Sequence, residues 1–172
     1  MTFAQLATIY EPYNHTRKII GFDTFEGFSK VTDYDDNQEQ RYHERDLSTY
    51  DGIQKEITQS IELFDKNRPL SHIPKVELIK GDAVISIPDF IQNNPHTVIS
   101  MLYLDFDLYE PTKIALETLV PRMPKGGVVV FDELNCKNFP GETLAVMEVF
   151  GLSKLKLRKT KFDPWISFAI IE

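Results

Sequence analysis

Apolar residues recur at helical spacing in several stretches of the chain. Between positions 3 and 10 they follow an i, i+3, i+4, i+7 pattern, which predicts an amphipathic helix. This helix should end near Glu11, because Pro12 disfavours helical geometry in the residue before it. Further helices are expected over 51–66, 111–119 and 142–150, and a short one starting at Pro88.

Short apolar runs alternate with these helices and predict strands. The run 98–104 is nearly all apolar, so it predicts a strand buried on both faces. Strands that alternate with helices imply crossover connections, and hence a doubly wound, mainly parallel α/β sheet. No helix separates the last two runs, so the last strand is expected to be antiparallel. The predicted strands cover 17–22, 76–80, 98–104, 128–131, 155–159 and 166–171.

Composition and charge narrow the function classes. The 172 residues predict a single domain, 1–172, whose mostly polar segment 26–51 would form a lid or acceptor loop. The net charge of −7 argues against a nucleic-acid partner, whose binding surface would be basic. No apolar run approaches the ~20 residues that cross a bilayer, so no membrane partner is expected. The single cysteine, Cys136, suits a reducing compartment, and the start of the chain lacks signal-peptide features, so we expect a cytoplasmic protein.

Acidic residues follow four of the predicted strands. They are Asp23, Asp82, Asp105 and the pair Asp132–Glu133. In open α/β sheets, ligands bind beyond the carboxyl ends of the strands, which all of these acids would occupy. Aspartate also forms turns and caps helices, so any one of them has a structural explanation. Four on one rim indicate a binding site.

The spacing of these acids suggests particular ligands. If the strands before Asp105 and Asp132 are neighbours, their ends lie about 5 Å apart, and with Glu133 they could converge on one Mg²⁺. The alternative is that Asp132 caps the next segment and Glu133 points to solvent. Asp23 suits the ribose hydroxyls of an adenosine cofactor, or else an Asx-turn. Asp82 could lie near an adenine amino group, or form a turn.

Several stretches, taken in order, resemble class I S-adenosylmethionine-dependent methyltransferases. They are 21–27, 81–82, 104–112, 124–133 and 140–143. The closest resemblance is to the macrocin O-methyltransferase group, which methylates sugars of natural products. The resemblance implies a Rossmann-like methyltransferase sheet with an antiparallel last strand, S-adenosylmethionine as cofactor, and a Mg²⁺ that binds the acceptor oxygens.

The resemblance also assigns roles to residues. Methyl transfer to a hydroxyl needs a base, for which Asp105, Asp107 and His43 are candidates; His43 could instead be a solvated loop residue. Glu142 and Tyr109 are candidate acceptor contacts, although Glu142 could simply be an acid favoured in the first turn of a helix. Family members usually carry Asp-Asp where this chain has Asp132-Glu133. The implied metal ligands are Asp105, Asp132 and Glu133. The implied cofactor-binding residues are Asp23, Thr24, Phe25, Asp82, Ala83 and Asp105.

The start of the chain departs from the family pattern. The family's fold begins with a strand and an acidic, glycine-rich loop, whereas residues 1–6 match the helix after that loop. We therefore expect the first strand to be missing. Its two neighbours would then have open edges, which favour association and allow a homodimer.

These features favour one function over two alternatives. The first is a Mg²⁺-dependent O-methyltransferase that acts on a hydroxyl of a small-molecule acceptor, a sugar or polyol. The second is a metal-dependent glycosyltransferase, because Asp105-Phe-Asp107 is also an Asp-x-Asp pattern. The third is a catalytically inactive, truncated remnant.

Overall fold

Helices and strands alternate along the chain in the order that the apolar pattern predicts. A computed structural model describes residues 1–36, 39 and 41–172. The elements are α1 (Thr2–Tyr10), β1 (Ile19–Asp23), α2 (Ile53–Lys66), β2 (Val76–Lys80), α3 (Ala83–Asn93), β3 (Met101–Leu104), α4 (Tyr109–Leu119), β4 (Val128–Phe131), α5 (Pro140–Val149), β5 (Arg158–Lys159) and β6 (Ser167–Ile170).

The strands form two separate sheets. β1 pairs in parallel with β2, and β3 pairs in parallel with β4. β6 then runs antiparallel to β4 on one side and to β5 on the other. Within the described residues, β1 and β3 each have a strand neighbour on one side only. The predicted α/β fold with a parallel body and an antiparallel end is confirmed.

The core lies between β3, β4 and the three helices α3, α4 and α5. Leu104 and Phe131 are fully buried where these strands end, and they pack with Leu116 of α4 and Val146 of α5. Tyr103 points to the opposite face, as strand alternation requires, and its ring lies 5.7 Å from that of Phe3 in α1. Helices therefore cover both faces of the sheet around β3.

The prediction that the run 98–104 is a strand buried on both faces is wrong. The strand begins at Met101, whose side chain is 44% exposed, and Val98 before it is 74% exposed. The physical reason is that β3 has a strand neighbour on one side only, and α1 covers it only near Tyr103.

The prediction that a helix starts at Pro88 is also wrong. α3 begins five residues earlier, at Ala83, and carries Pro88 inside it. The Asp82 carboxylate accepts a hydrogen bond of 2.9 Å from Val84 N and so caps the helix. Ile87 and Ile91 lie one turn apart on its buried face, and this packing offsets the hydrogen bond that a proline cannot donate.

The chain between β1 and α2 forms turns. In the described part of 26–51 there is neither helix nor strand, in agreement with its polar composition. Among the described residues, no helix is both long enough and apolar enough to cross a membrane.

Candidate active site

A cleft opens at the carboxyl ends of β1, β2 and β3. We call it the cofactor cleft; its volume is about 190 Å³. All six residues predicted to bind the cofactor line it. They are Asp23, Thr24, Phe25, Asp82, Ala83 and Asp105. The residues at the carboxyl ends of β1, β2 and β3 therefore lie together at one edge of the fold, as expected for parallel strands.

Two of these acids already make a local hydrogen bond. Asp23 Oδ1 accepts from Phe25 N at 2.5 Å, which is the Asx-turn alternative. Asp82 Oδ1 caps α3 through Val84 N. Each bond engages one carboxylate oxygen, so contact of the other oxygen with a cofactor stays a prediction.

A second cleft adjoins the first and is lined by charged residues. Its volume is about 280 Å³, and it shares Thr24 and Asp82 with the cofactor cleft. Lys80 and Glu26 form an ion pair of 2.7 Å on its wall, and Arg45 also lines it. The two clefts together give room for a ligand larger than either alone.

Five carboxyl groups gather beside the cofactor cleft. They are Asp105, Asp107, Asp132, Glu133 and Glu142. Burial raises the pKa of Asp105 to about 6, and the charges of Asp132 and Asp107 add to this rise. Burial also raises the pKa of Asp107. Asp105 and Asp107 therefore hold protons more tightly than exposed carboxyls do.

Asp107 and Glu133 are hydrogen-bonded to each other. Burial first, and then this bond, raise the pKa of Glu133 to about 8, while the bond lowers the pKa of Asp107. Burial thus favours a proton shared between these two carboxyl groups. Asp107 also adopts a left-handed backbone with φ 62°, a conformation that aspartate tolerates better than most residues.

Asp132 is held by a residue that the sequence analysis did not single out. The Tyr103 hydroxyl donates a hydrogen bond to Asp132 Oδ1. Burial and the nearby Asp132 raise the pKa of Tyr103, so the phenol stays protonated and remains a donor. The strand register explains this contact, because Tyr103 pairs with Val130, and Asp132 lies two residues after Val130.

The acids offer suitable oxygens for a metal ion but are engaged with other groups. Among the described residues, no group of three or more His, Cys, Asp or Glu side chains is arranged to hold a metal. Asp132 is bonded to Tyr103, and Glu133 to Asp107. Glu133 Oε2 is nevertheless buried with no hydrogen-bond partner among the described residues, and the neighbouring carboxylates raise the pKa of Asp105. A divalent cation would bind the unpartnered Glu133 oxygen and offset the repulsion between the carboxylates. Mg²⁺ binding therefore fits these residues and stays a prediction.

Glu142 and Tyr109, the two residues predicted to contact the acceptor, are hydrogen-bonded to other residues of the protein. Glu142 is fully buried, and its Oε1 accepts a hydrogen bond of 3.0 Å from Glu133 N. The Tyr109 hydroxyl donates to Glu148, and its ring stacks on Tyr34 at 4.4 Å. Neither residue lines either cleft, so their contact with an acceptor stays a prediction.

The polar segment 26–51 lies against the acid cluster. Tyr42 is buried and stacks on Phe139 at 5.0 Å, and burial together with the Asp107 charge raises the pKa of its phenol. Its hydroxyl has no hydrogen-bond partner in the described part of the chain. His43, the further candidate base, has a side chain that is 77% exposed and lies 3.8 Å from Asp46. The solvated-loop reading of His43 therefore fits the structure better than a catalytic one.

Comparisons with known proteins agree with this geometry. A family model described as macrocin-O-methyltransferase (TylF) matches residues 6–149. The crystal structure of CalS11, described as a calicheamicin methyltransferase, has a TM-score of 0.92 and 37% identity, and covers 98% of this chain and 66% of that one. No curated protein sequence matches significantly.

Two further structures extend the comparison. The apo structure of CalS11, described as a TDP-rhamnose 3'-O-methyltransferase, has a TM-score of 0.82 and 33% identity, and covers 98% of this chain and 64% of that one. The O-methyltransferase NovP, with a TM-score of 0.65, 18% identity and coverage of 98% and 65%, shares the fold. The chain thus spans just under two thirds of the length of these proteins. It belongs to the macrocin O-methyltransferase family.

Proposed function

We propose that this chain takes part in methyl transfer from S-adenosylmethionine to a hydroxyl of a sugar or polyol-type small molecule. The observation that carries the proposal is the cofactor cleft, which all six predicted cofactor residues line. Family membership supports the reaction class. The description of one relative as a TDP-rhamnose 3'-O-methyltransferase supports a sugar as the acceptor class.

The acid cluster supplies the proton chemistry of this reaction. S-adenosylmethionine, when bound, supplies the electrophilic methyl group, and the acceptor hydroxyl must lose a proton. Asp105 and Asp107 both line the cofactor cleft, on the same turn. Asp107 is hydrogen-bonded to Glu133, so these two carboxyl groups can hold and pass a proton at the cleft. We assign the general base to Asp105 or Asp107.

We extend the proposal to a Mg²⁺ held by Asp105, Asp132 and Glu133. The support is the crowding of these carboxylates and a buried Glu133 oxygen that has no hydrogen-bond partner in the described part of the chain. A bound Mg²⁺ lowers the pKa of a coordinated hydroxyl and orients it. Glu133 would have to exchange its bond with Asp107 for the cation.

Cofactor binding is the first test. S-adenosylhomocysteine at about 100 times its Kd should add about 2.7 kcal/mol to the free energy of unfolding, a rise in Tm of roughly 5–10 °C. Asp23→Asn keeps the acceptor for Phe25 N and removes the charge beside the ribose, so we expect binding at least tenfold weaker. Differential scanning fluorimetry measures both, with exposed Asp51→Asn as the matched control.

Three outcomes separate the candidate functions. No shift of the wild-type Tm at millimolar S-adenosylhomocysteine would contradict the proposal. A shift with a nucleoside diphosphate and Mn²⁺ instead would favour the glycosyltransferase alternative that the Asp105-Phe-Asp107 pattern allows. No shift with either ligand favours the inactive remnant.

The metal role is tested by Asp132→Asn. We expect Mg²⁺ activation of methyl transfer to weaken at least tenfold, because the amide is a poorer ligand than the carboxylate. Tyr103→Phe is the matched control, since it removes the hydrogen bond to Asp132 but keeps the carboxylate. Initial rates against Mg²⁺ concentration measure the effect, and full activity in excess chelator would exclude the metal.

A further inference from the structure

A buried aspartate links the polar segment 26–51 to the turn that carries the acids. Asp35 is only 1% exposed, although it belongs to a strongly polar stretch. Its Oδ2 accepts hydrogen bonds from Thr32 N at 2.7 Å and from Thr32 Oγ1 at 2.8 Å. Its Oδ1 accepts from Tyr109 N at 2.6 Å, across 74 residues of sequence. A carboxylate buried this deeply is stable there because all these donors point at it.

The long-range partner of Asp35 is the first residue of α4. A carboxylate at a helix N-terminus satisfies a backbone N–H that has no partner within the helix, and it interacts favourably with the helix dipole. Leu108, the residue before the helix, has no side chain able to do this. Asp35 therefore supplies from a distant segment the cap that the local sequence lacks, and α4 begins at Tyr109 for that reason.

The turn between β3 and α4 is short and fixed at both ends. At its start, Leu104 O accepts a hydrogen bond of 3.1 Å from Asp132 N. At its end, Tyr109 N is held by Asp35. Between these points lie Asp105 and Asp107, the latter in a left-handed conformation. A turn that includes such a residue keeps its shape only when its surroundings define it.

A third segment completes the site around Asp35. A Cβ atom at Gly141 would lie 2.2 Å from Asp35 Oδ1 and 2.5 Å from Tyr109 N. Only glycine lets α5 approach this closely. The Asp35 carboxylate is therefore enclosed by residues from three parts of the chain, whereas a carboxylate in a surface ion pair is open to solvent.

We propose that Asp35 is a positioning residue, which fixes the turn 105–108 so that Asp105 and Asp107 face the cofactor cleft. This inference rests on the proposed methyl transfer for its catalytic consequence. Its structural part, that the turn depends on Asp35, stands independently of that function. Segment 26–51 then couples to the acids through one side chain, so its placement and theirs are set together.

Amide hydrogen exchange tests the structural part. In the full chain carrying Asp35→Asn, the amide oxygen can still accept from either Thr32 or Tyr109 N. The amide N–H₂ group cannot accept the remaining hydrogen bonds. We expect NMR-detected exchange at Tyr109 to become at least tenfold faster, and faster still in Asp35→Ala. Asp33→Asn removes the same charge at an exposed position two residues away and should leave exchange at Tyr109 unchanged. Equal exchange in Asp35→Asn and Asp33→Asn overturns the proposal, whether or not the protein binds cofactor.

Kinetics test the catalytic part. Well below the Tm of each variant, we expect kcat for methyl transfer to fall at least tenfold in Asp35→Asn, while KM for S-adenosylmethionine rises by a smaller factor. A merely structural role would lower Tm without this split. Faster exchange with an unchanged kcat overturns the positioning role. Absence of any transfer by the wild-type chain would instead count against the proposed function, and the exchange result would still decide whether Asp35 fixes the turn.

Discussion

Gly141→Ala is expected to destabilise the protein by about 3 kcal/mol, the upper end of what overpacking of a filled site produces. The added methyl group would lie 2.2 Å from Asp35 Oδ1 and 2.5 Å from Tyr109 N, and the second of these is backbone that cannot move aside alone. Helix propensity predicts the opposite sign, because alanine is favoured over glycine inside a helix by about 1 kcal/mol. The sign of the change in free energy of unfolding, measured with urea, therefore decides between packing and propensity.

A double-mutant cycle is the control for this prediction. Asp35→Ala removes the atom nearest to the new methyl group, so the double variant Asp35→Ala/Gly141→Ala should lose less stability than the two single variants added together. We expect a coupling of about 1 kcal/mol, as is typical of residues in direct contact. Strict additivity would show that the two residues do not share one site.

Glu142→Gln is expected to stabilise the protein at high pH, on the order of 3 kcal/mol at pH 8.5 without divalent cations. Burial raises the pKa of Glu142 to about 8 from its usual 4.5. Glutamine keeps an acceptor for Glu133 N but never becomes charged. It therefore avoids the unfavourable burial of a carboxylate.

The sign of this pH dependence follows from the protonation of Glu142 in the folded and the unfolded chain. Below about pH 4.5 the carboxyl is protonated in both the folded and the unfolded chain, so its full contribution to stability is present. As pH rises towards 8, the unfolded chain releases the proton and the folded one keeps it, so the wild type loses stability. The advantage of Glu142→Gln should thus vanish near pH 4.5. Urea titrations across this range measure it, with exposed Glu117→Gln as a control, and a constant difference between wild type and Glu142→Gln would contradict the prediction.

The order of elements was predictable because periodicity is a local property. The strand before Asp132 and the helix over residues 53–66 each follow from side chains within one element. The start of α3 was not, because Pro88 is typical of a first helical turn, whereas Asp82 was assigned to a ligand contact or a turn. The aspartate prevails because its cap lets Ala83 and Ile87 join the buried face.

Candidate residues were predictable only where chemistry and position coincide. The acids at strand ends share a rim because parallel strands end on one side of a sheet, so their convergence on the cofactor cleft followed from the pattern. Asp35 could not be found this way. In sequence it is one of three aspartates between 33 and 36, and only its partner 74 residues away distinguishes it. Glu142 is similar, since nothing local shows that α5 buries it.

The division of the strands into two sheets bears on how the protein unfolds. The main cluster of buried apolar residues comes from α3 onwards, and the β1–β2 sheet joins it through contacts such as Phe22 on Phe90, 5.6 Å apart. Two sheets that share no strand pairing within the described residues need not melt together. The cofactor cleft lies on their boundary, with Asp23 on one wall and Asp105 on the other. A ligand that touches both walls would tie the two sheets into one cooperative transition, so binding should sharpen the melting curve as well as shift it.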